Sequence, residues 1–215
     1  MLALDHLVFA GNDIESMSTE YGNKFNVKAV LGGHHENWGT YNYLAYFSNN
    51  AYIEWLGIED EQKANRSDSP LIKHLTHYLN SKKVGLFQFA LQTNELDNYL
   101  THFTENNIPF TGPYNGKRKL ANGKTITWRM LFPTYDHTKE TLPFLIEWNQ
   151  PESERVNVSL VNPSAITQVT FGGISLDRFL HIYNLPFKKR LKNSVKLKNT
   201  TLIFDDRHEL DLKIN

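Results

Sequence analysis

Apolar residues along this chain fall in short alternating or clustered runs, and two of those runs are near copies of each other. Ala51–Ile58 (AYIEWLGI) and Leu142–Asn149 (LPFLIEWN) have the aromatic and β-branched make-up of strands, yet each holds one carboxylate where a half-buried strand carries a hydrophobe. In both the neighbours are Ile-Glu-Trp, and Glu54 and Glu147 stand 93 positions apart (147 minus 54). Taken singly, such a glutamate reads as an edge or solvent-facing residue. As a matched pair, the two point to two copies of one module, each ending on a strand that aims a carboxylate at a shared place.

The module openings repeat as well. Asp5–Met17 (DHLVFAGNDIESM) and Phe87–Tyr99 (FQFALQTNELDNY) both read strand, polar break, helix, with His6 over Gln88, Phe9 near Leu91 and Ile14 over Leu96. The offset there is 82 (88 minus 6), so the second module carries about a dozen extra residues. Each copy is expected to run β-α-β-β-β.

Taken in order, Leu4–Phe9 is a strand with His6 on the side of Leu4 and Val8, followed by a helix capped by Asn12 or Asp13. A second strand, Asn26–Leu31, ends at Gly32-Gly33. The stretch Gly32–Asn42 then reads as a loop holding His34, His35, Trp38, Thr40 and Asn42, either solvated or forming the rim of a pocket. Strands Tyr41–Ser48 and Ala51–Ile58 meet at Asn49-Asn50 and close the first module, residues 1–58. Residues 59–83 form a polar linker and a helix opening at Ser69-Pro70, on which His74 and His77 read as solvated. The second module, 84–150, has a strand at Val84–Leu91, a helix near Glu95–Glu105 and a short strand at Pro109–Gly112. Its hairpin turns at Asn122-Gly123 and carries Arg118 and Arg129. Residues 151–215 open like a third module at Thr167–Phe179, with Gln168 on the His6 position, but no Ile-Glu-Trp follows. This degenerate extension is expected to pack on the core or to mediate a homodimer.

Composition narrows the function classes. Forty per cent hydrophobic and 13% aromatic residues suit a soluble globule, and 23 basic against 23 acidic residues leave no footprint for nucleic acid or an anionic membrane. The basic run Lys188–Lys198 reads as a solvated face. Absence of cysteine removes disulfides, thiolate metal sites and cysteine nucleophiles. No signal peptide and no apolar stretch near the ~20 residues of a membrane span are visible, so a cytoplasmic protein is expected.

The repeat implies a site. If the opening and closing strands face one cavity, His6, Glu54, Gln88 and Glu147 offer one imidazole and three oxygen donors, a set suited to Zn, Ni, Mn or Fe as a divalent metal ion. Two buried carboxylates need such a cation, or a proton, to be tolerated. Arg118 and Arg129 either snorkel to water or clamp a substrate carboxylate or phosphate.

Paired β-α-β-β-β modules, a histidine on the opening strand (LDHLVF) and a glutamate on the closing strand resemble the vicinal oxygen chelate superfamily, which includes glyoxalase I. The stretch GGHHENWGTYNYL followed by AYIEWLGI is similar to its glyoxalase-like branch of mostly uncharacterised bacterial proteins, over roughly residues 2–150. The resemblance implies an α+β fold in which paired βαβββ modules form a half-open mixed β-sheet barrel around a cleft. It also implies the ligand set His6, Glu54, Gln88 and Glu147, close to that of glyoxalase I. Ring-cleaving dioxygenases are disfavoured, because Gln88 stands where they use a second histidine. Two activities follow as expectations. One is a metal-dependent lyase or isomerase for a small oxygenated substrate, with Glu147 or Glu54 moving the proton, His35 as a secondary acid or base, and Trp38, Thr40, Asn42, Arg118 and Arg129 holding the substrate. The other is a metal-free small-molecule binding protein whose pocket is lined by Trp38, Trp55, Trp128 and Trp148.

Overall fold

The computed structural model describes residues 1–120, 123–137, 139–186, 193–207 and 209–215. The expected turn residue Asn122 and the start of the basic run, 188–192, therefore lie outside the described residues. The first repeat comprises β1 (Ala3–Ala10), α1 (Ile14–Phe25), β2 (Val30–His35), β3 (Thr40–Phe47) and β4 (Tyr52–Ile58). Asp13 caps α1 by accepting from the Ser16 N–H. Two helices follow, α2 (Glu61–Arg66) and α3 (Pro70–Asn80), so the polar stretch expected as a bare linker holds a helix of its own, capped by Asp60. The second repeat comprises β5 (Gly85–Gln92), α4 (Leu96–Glu105), β6 (Phe110–Lys119), β7 (Thr125–Pro133) and β8 (Phe144–Trp148). The short strand expected at Pro109–Gly112 and the first strand of the expected hairpin are one, β6, interrupted at the cis Gly112–Pro113 bond.

These strands form one curled mixed sheet in the order β2-β3-β4-β1-β5-β8-β7-β6. At its centre β1 and β5 pair antiparallel, and each lies parallel to the last strand of its own repeat, β4 or β8. His6 pairs with Ala90 and Val8 with Gln88. That is the register required if residue i corresponds to i+82 about a local twofold axis (6 to 88, 8 to 90). Each central strand also bulges one residue before the matched position: Asp5 on β1 and Phe87 on β5 are skipped by the ladder.

The bulge sorts side chains onto two faces. Leu4, Leu7 and Phe9 join Ile53, Trp55, Phe89, Leu91 and Leu145 in one apolar core, beneath α1, α4 and the C-terminal segment. Val8 and Ala10 join Leu56, Trp128, Met130, Phe144 and Ile146 on the concave face, which α3 covers with Leu71, Ile72 and Leu75. His6 therefore shares its side with Val8 but not with Leu4, because the extra residue at Asp5 inverts the alternation between them. The curl brings the two terminal strands together: a side chain at Gly33 of β2 would stand 3.5 Å from Arg118 Cδ of β6.

The C-terminal segment adds α5 (Glu152–Arg155), β9 (Val161–Asn162), which pairs with β3, and then β10 (Ile166–Gly172), α6 (Leu176–Ile182), β11 (Ser194–Lys196), β12 (Thr201–Asp205) and β13 (Asp211–Ile214). The last four strands form a separate sheet, β11-β12-β10-β13. Here β10 lies parallel to β12 and antiparallel to β13, as β1 does to β4 and β5, and it too bulges one residue before Gln168, at Thr167. Packing is direct. Asn199 accepts from the Leu4 N–H and donates to the Leu4 and Asn49 carbonyls, and Tyr183 donates to the Pro143 carbonyl at 2.6 Å.

Candidate functional site

The bulge at Asp5 is where the site begins. It turns His6 into the concavity while its ring Nδ1 lies 2.6 Å from Asp5 Oδ1, and Asp5 Oδ2 accepts from Trp148 Nε1 at 2.8 Å. Asp5 and His6 are 2% and 3% exposed, so this is a buried carboxylate–imidazole pair. Tyr52 stacks on the His6 ring at 4.6 Å and Phe144 meets it edge-on at 5.6 Å. Asp5 thus fixes the ring, and Nε2 faces the cavity and Glu54. Burial keeps the Tyr52 phenol well above its usual pKa, so it remains a hydroxyl.

Across the sheet on β4, Glu54 is 7% exposed, with Oε2 3.4 Å from His6 Nε2. Its Oε1 accepts from Asn42 Nδ2 at 2.5 Å. Gly32 seats that amide, for a side chain there would collide with Asn42 Oδ1 and Leu44. The expected loop Gly32–Asn42 is thus mostly hairpin: β2 runs through both glycines to His35, and β3 resumes at Thr40. His35, at the hairpin end, is buried with Nδ1 3.0 Å from Thr40 Oγ1. Burial lowers its pKa to about 4 against the opposing pull of Glu54, so it is neutral at pH 7. Trp38 packs on His35 and against Trp128, whose ring lies over Gly116 where a Cβ would overlap it.

His6, Glu54, Asn42, Tyr52, His35, Trp38 and Trp128, with Arg118, Phe144 and Trp148, line one narrow cavity. Its free volume of about 30 Å³ holds roughly two waters. An open groove of about 730 Å³ adjoins it, lined by His34, Lys117, Lys119 and Thr127 among others. His35, Trp38, Arg118 and Trp128 border both spaces.

Of the expected four donors, the structure brings together His6 and Glu54. Gln88 does occupy the position matched to His6, but its side chain donates to Tyr135 Oη and the Leu142 carbonyl, and it does not line the cavity. Glu147 lies on the opposite face of β8, ion-paired with Arg129 and accepting from the Leu96 N–H at the start of α4. The reason is register. Val8 pairs with Glu54 on β4, and its counterpart Ala90 pairs with Phe144 on β8. Glu54 therefore corresponds to Phe144 (an offset of 90), and aligning the two Ile-Glu-Trp tripeptides slipped the second module by three residues. An odd slip exchanges the faces of a strand.

Among the described residues no group of three or more histidine, aspartate or glutamate side chains converges on a metal position. Two donors fall short of the three protein ligands of a catalytic zinc, and the fourth expected place holds a phenyl ring. The residues present do not fit the expected four-donor ion. Arg129 is taken up by Asp97 and Glu147 outside the cavity, and Trp55 lies in the other core, fully buried. His74, expected to be solvated, is buried against Phe87 and His137. Asp5, Tyr52 and Phe144 join the site unforeseen. Only Asp5 had a signal, its adjacency to His6.

Two curled βαβββ repeats about a shared concave face, with His6 of β1 and Glu54 of β4 turned toward it, define a vicinal oxygen chelate fold. Within that class, the model of the glyoxalase-like domain family matches residues 4–184, and the chain belongs to that family. A search of the curated proteins finds no match. A hypothetical protein from Staphylococcus aureus is similar over 100% of this chain and 91% of that one, at 20% identity and a TM-score of 0.82. Methylmalonyl-CoA epimerase from Mycobacterium tuberculosis is similar over 71% of this chain and 91% of its own, at 18% identity and a TM-score of 0.52. At these identities the likeness is one of fold.

Proposed function

We propose that this chain performs proton transfer on a small oxygenated molecule held in the concave cavity, as an isomerase or lyase of the glyoxalase-like family that uses its own side chains. The observation that carries this is Glu54. One of its oxygens is fixed by Asn42, while the other faces the cavity beside His6 Nε2. A buried carboxylate of this kind is poised as a general base. Glu54 removes a proton from a carbon next to a carbonyl and returns it to that carbon or its neighbour. His6, aligned by Asp5, and the hydroxyl of Tyr52 serve the oxygen on which charge develops. The aromatic walls, Trp38, Trp128 and Trp148, exclude water.

The test is exchange of carbon-bound hydrogen in D₂O, followed by proton NMR over a panel of small 2-oxo and 1,3-dicarbonyl compounds. Wild type is compared with Glu54→Gln, each with and without EDTA. Exchange that requires Glu54 and survives the chelator supports the proposal. Exchange abolished by EDTA and restored by Zn²⁺, Ni²⁺, Mn²⁺ or Fe²⁺ revives the metal-dependent reading. Binding without exchange favours the second reading, a metal-free binding protein, which the aromatic lining also suits.

A further inference from the structure

Arg118 is buried to 8% exposure, and its Nε has no hydrogen-bond partner. None of the ion pairs or hydrogen bonds among the described residues involves its guanidinium. Several other arginines among the described residues, shielded or not, are engaged. Arg129 pairs with Asp97 and Glu147, Arg178 with Glu140, and Arg155 lies over Trp148 and donates to the Gln150 carbonyl. A charged side chain this shielded, its Nε fully buried and unpaired, is unfavourable and leaves a place for an anion at the end of the guanidinium.

Placement says which space the anion occupies. On β6, Lys117 and Lys119 are exposed while Arg118 turns inward, its stem crossing to β2 against Gly33. Arg118 lines both the narrow cavity and the outer groove, where Lys117 and Lys119 add positive charge. Glu54 lines the same cavity, with no ion pair joining the two. One wall thus carries a cation without an ion pair, and the other a carboxylate held by Asn42 and His6.

We infer that Arg118 binds an anionic oxygen group of the ligand, and that the ligand of this cavity is a small organic acid whose carboxylate meets the planar guanidinium fork. This rests on the proton-transfer reading only in naming the acid as substrate. With the carboxylate on Arg118, the remaining carbons extend toward Glu54 and His6. Lys117 and Lys119 draw anions to the groove from which Arg118 takes them.

The experiment is a thermal melt at constant ionic strength with 10 mM propionate, malonate, inorganic phosphate or, as a neutral control, propionamide. Wild type should rise by ~2 °C or more with a carboxylate and not with the amide. Arg118→Met should melt above wild type without ligand, because the unpaired charge is gone, and should lose the response. Arg118→Lys keeps the charge but not the fork, and should bind at least about tenfold more weakly. Glu54→Gln should retain the response, so acid binding without hydrogen exchange would reject the proposed reaction and leave the Arg118 assignment standing. A shift with phosphate alone would overturn the organic-acid assignment. Equal shifts in wild type and Arg118→Met, or none with any anion, would overturn the site.

Discussion

Replacing His35 by glutamine should flatten the acid side of the protein's stability curve. In the unfolded chain this imidazole takes up its proton near pH 6.5, whereas in the fold burial defers that to about pH 4. Between those values the unfolded state binds more protons, so stability falls as pH falls, and the penalty is complete below pH 4. The span is 2.5 units (6.5 minus 4), worth about 3 kcal/mol at 1.36 kcal/mol per unit. For a chain of this size that corresponds to roughly 6–12 °C in melting temperature. Glutamine cannot take up the proton and can still bond Thr40. Urea unfolding at pH 4, 5, 6 and 7 should show the wild-type curve falling more steeply than the variant's by that amount. His74, held down to about pH 3 chiefly by burial and then by His137, adds a slope common to both proteins. Parallel curves for wild type and His35→Gln would refute the argument that burial keeps His35 neutral.

Other substitutions separate the two faces of the sheet and test the C-terminal anchor. Glu147→Gln should cost about 1 kcal/mol or less, since its partner Arg129 is partly exposed, and should leave carboxylate binding unchanged. A loss of binding comparable to that in Arg118→Met would return Glu147 to the site. Asn199→Ala strips the partners from the Leu4 N–H and carbonyl and should cost about 3 kcal/mol, a melt lowered by roughly 6–12 °C. A drop under about 2 °C would mean that the C-terminal sheet is held elsewhere.

The repeat, the α+β class and the strands β1 and β4 were legible because apolar periodicity and turn residues are local signals. The offset of 82 between the opening strands is reproduced by the ladder itself, in the pairs His6–Ala90 and Val8–Gln88. What misled was the closing strands, where identical tripeptides stand three residues out of structural step. Sequence identity at Ile-Glu-Trp says nothing of which face a side chain takes, and parity is decided by hydrogen-bonded register. The same limit hid Asp5. No periodicity marks a bulge, yet the bulge turns two consecutive polar residues into a pair and aims His6 at the cavity. Asn42 and Arg118 were picked for their chemistry, but that one holds Glu54 and the other lacks a partner is a tertiary fact.

The curled sheet stops short of closing. Its terminal strands β2 and β6 come together through Gly33 and the Arg118 stem, and no ladder of backbone hydrogen bonds joins them. A closed barrel would have to break such a ladder to admit anything larger than the two waters its centre accommodates. Here the seam is the Gly33 backbone against the Arg118 stem, so separating the two strands would forfeit dispersion contacts and leave the hydrogen-bonded ladders of the sheet intact. An interior with free volume for about two waters would therefore need no ladder broken to make room for a larger occupant. Since the Arg118 stem lies on that line, an anion held by its guanidinium would sit where the two terminal strands meet.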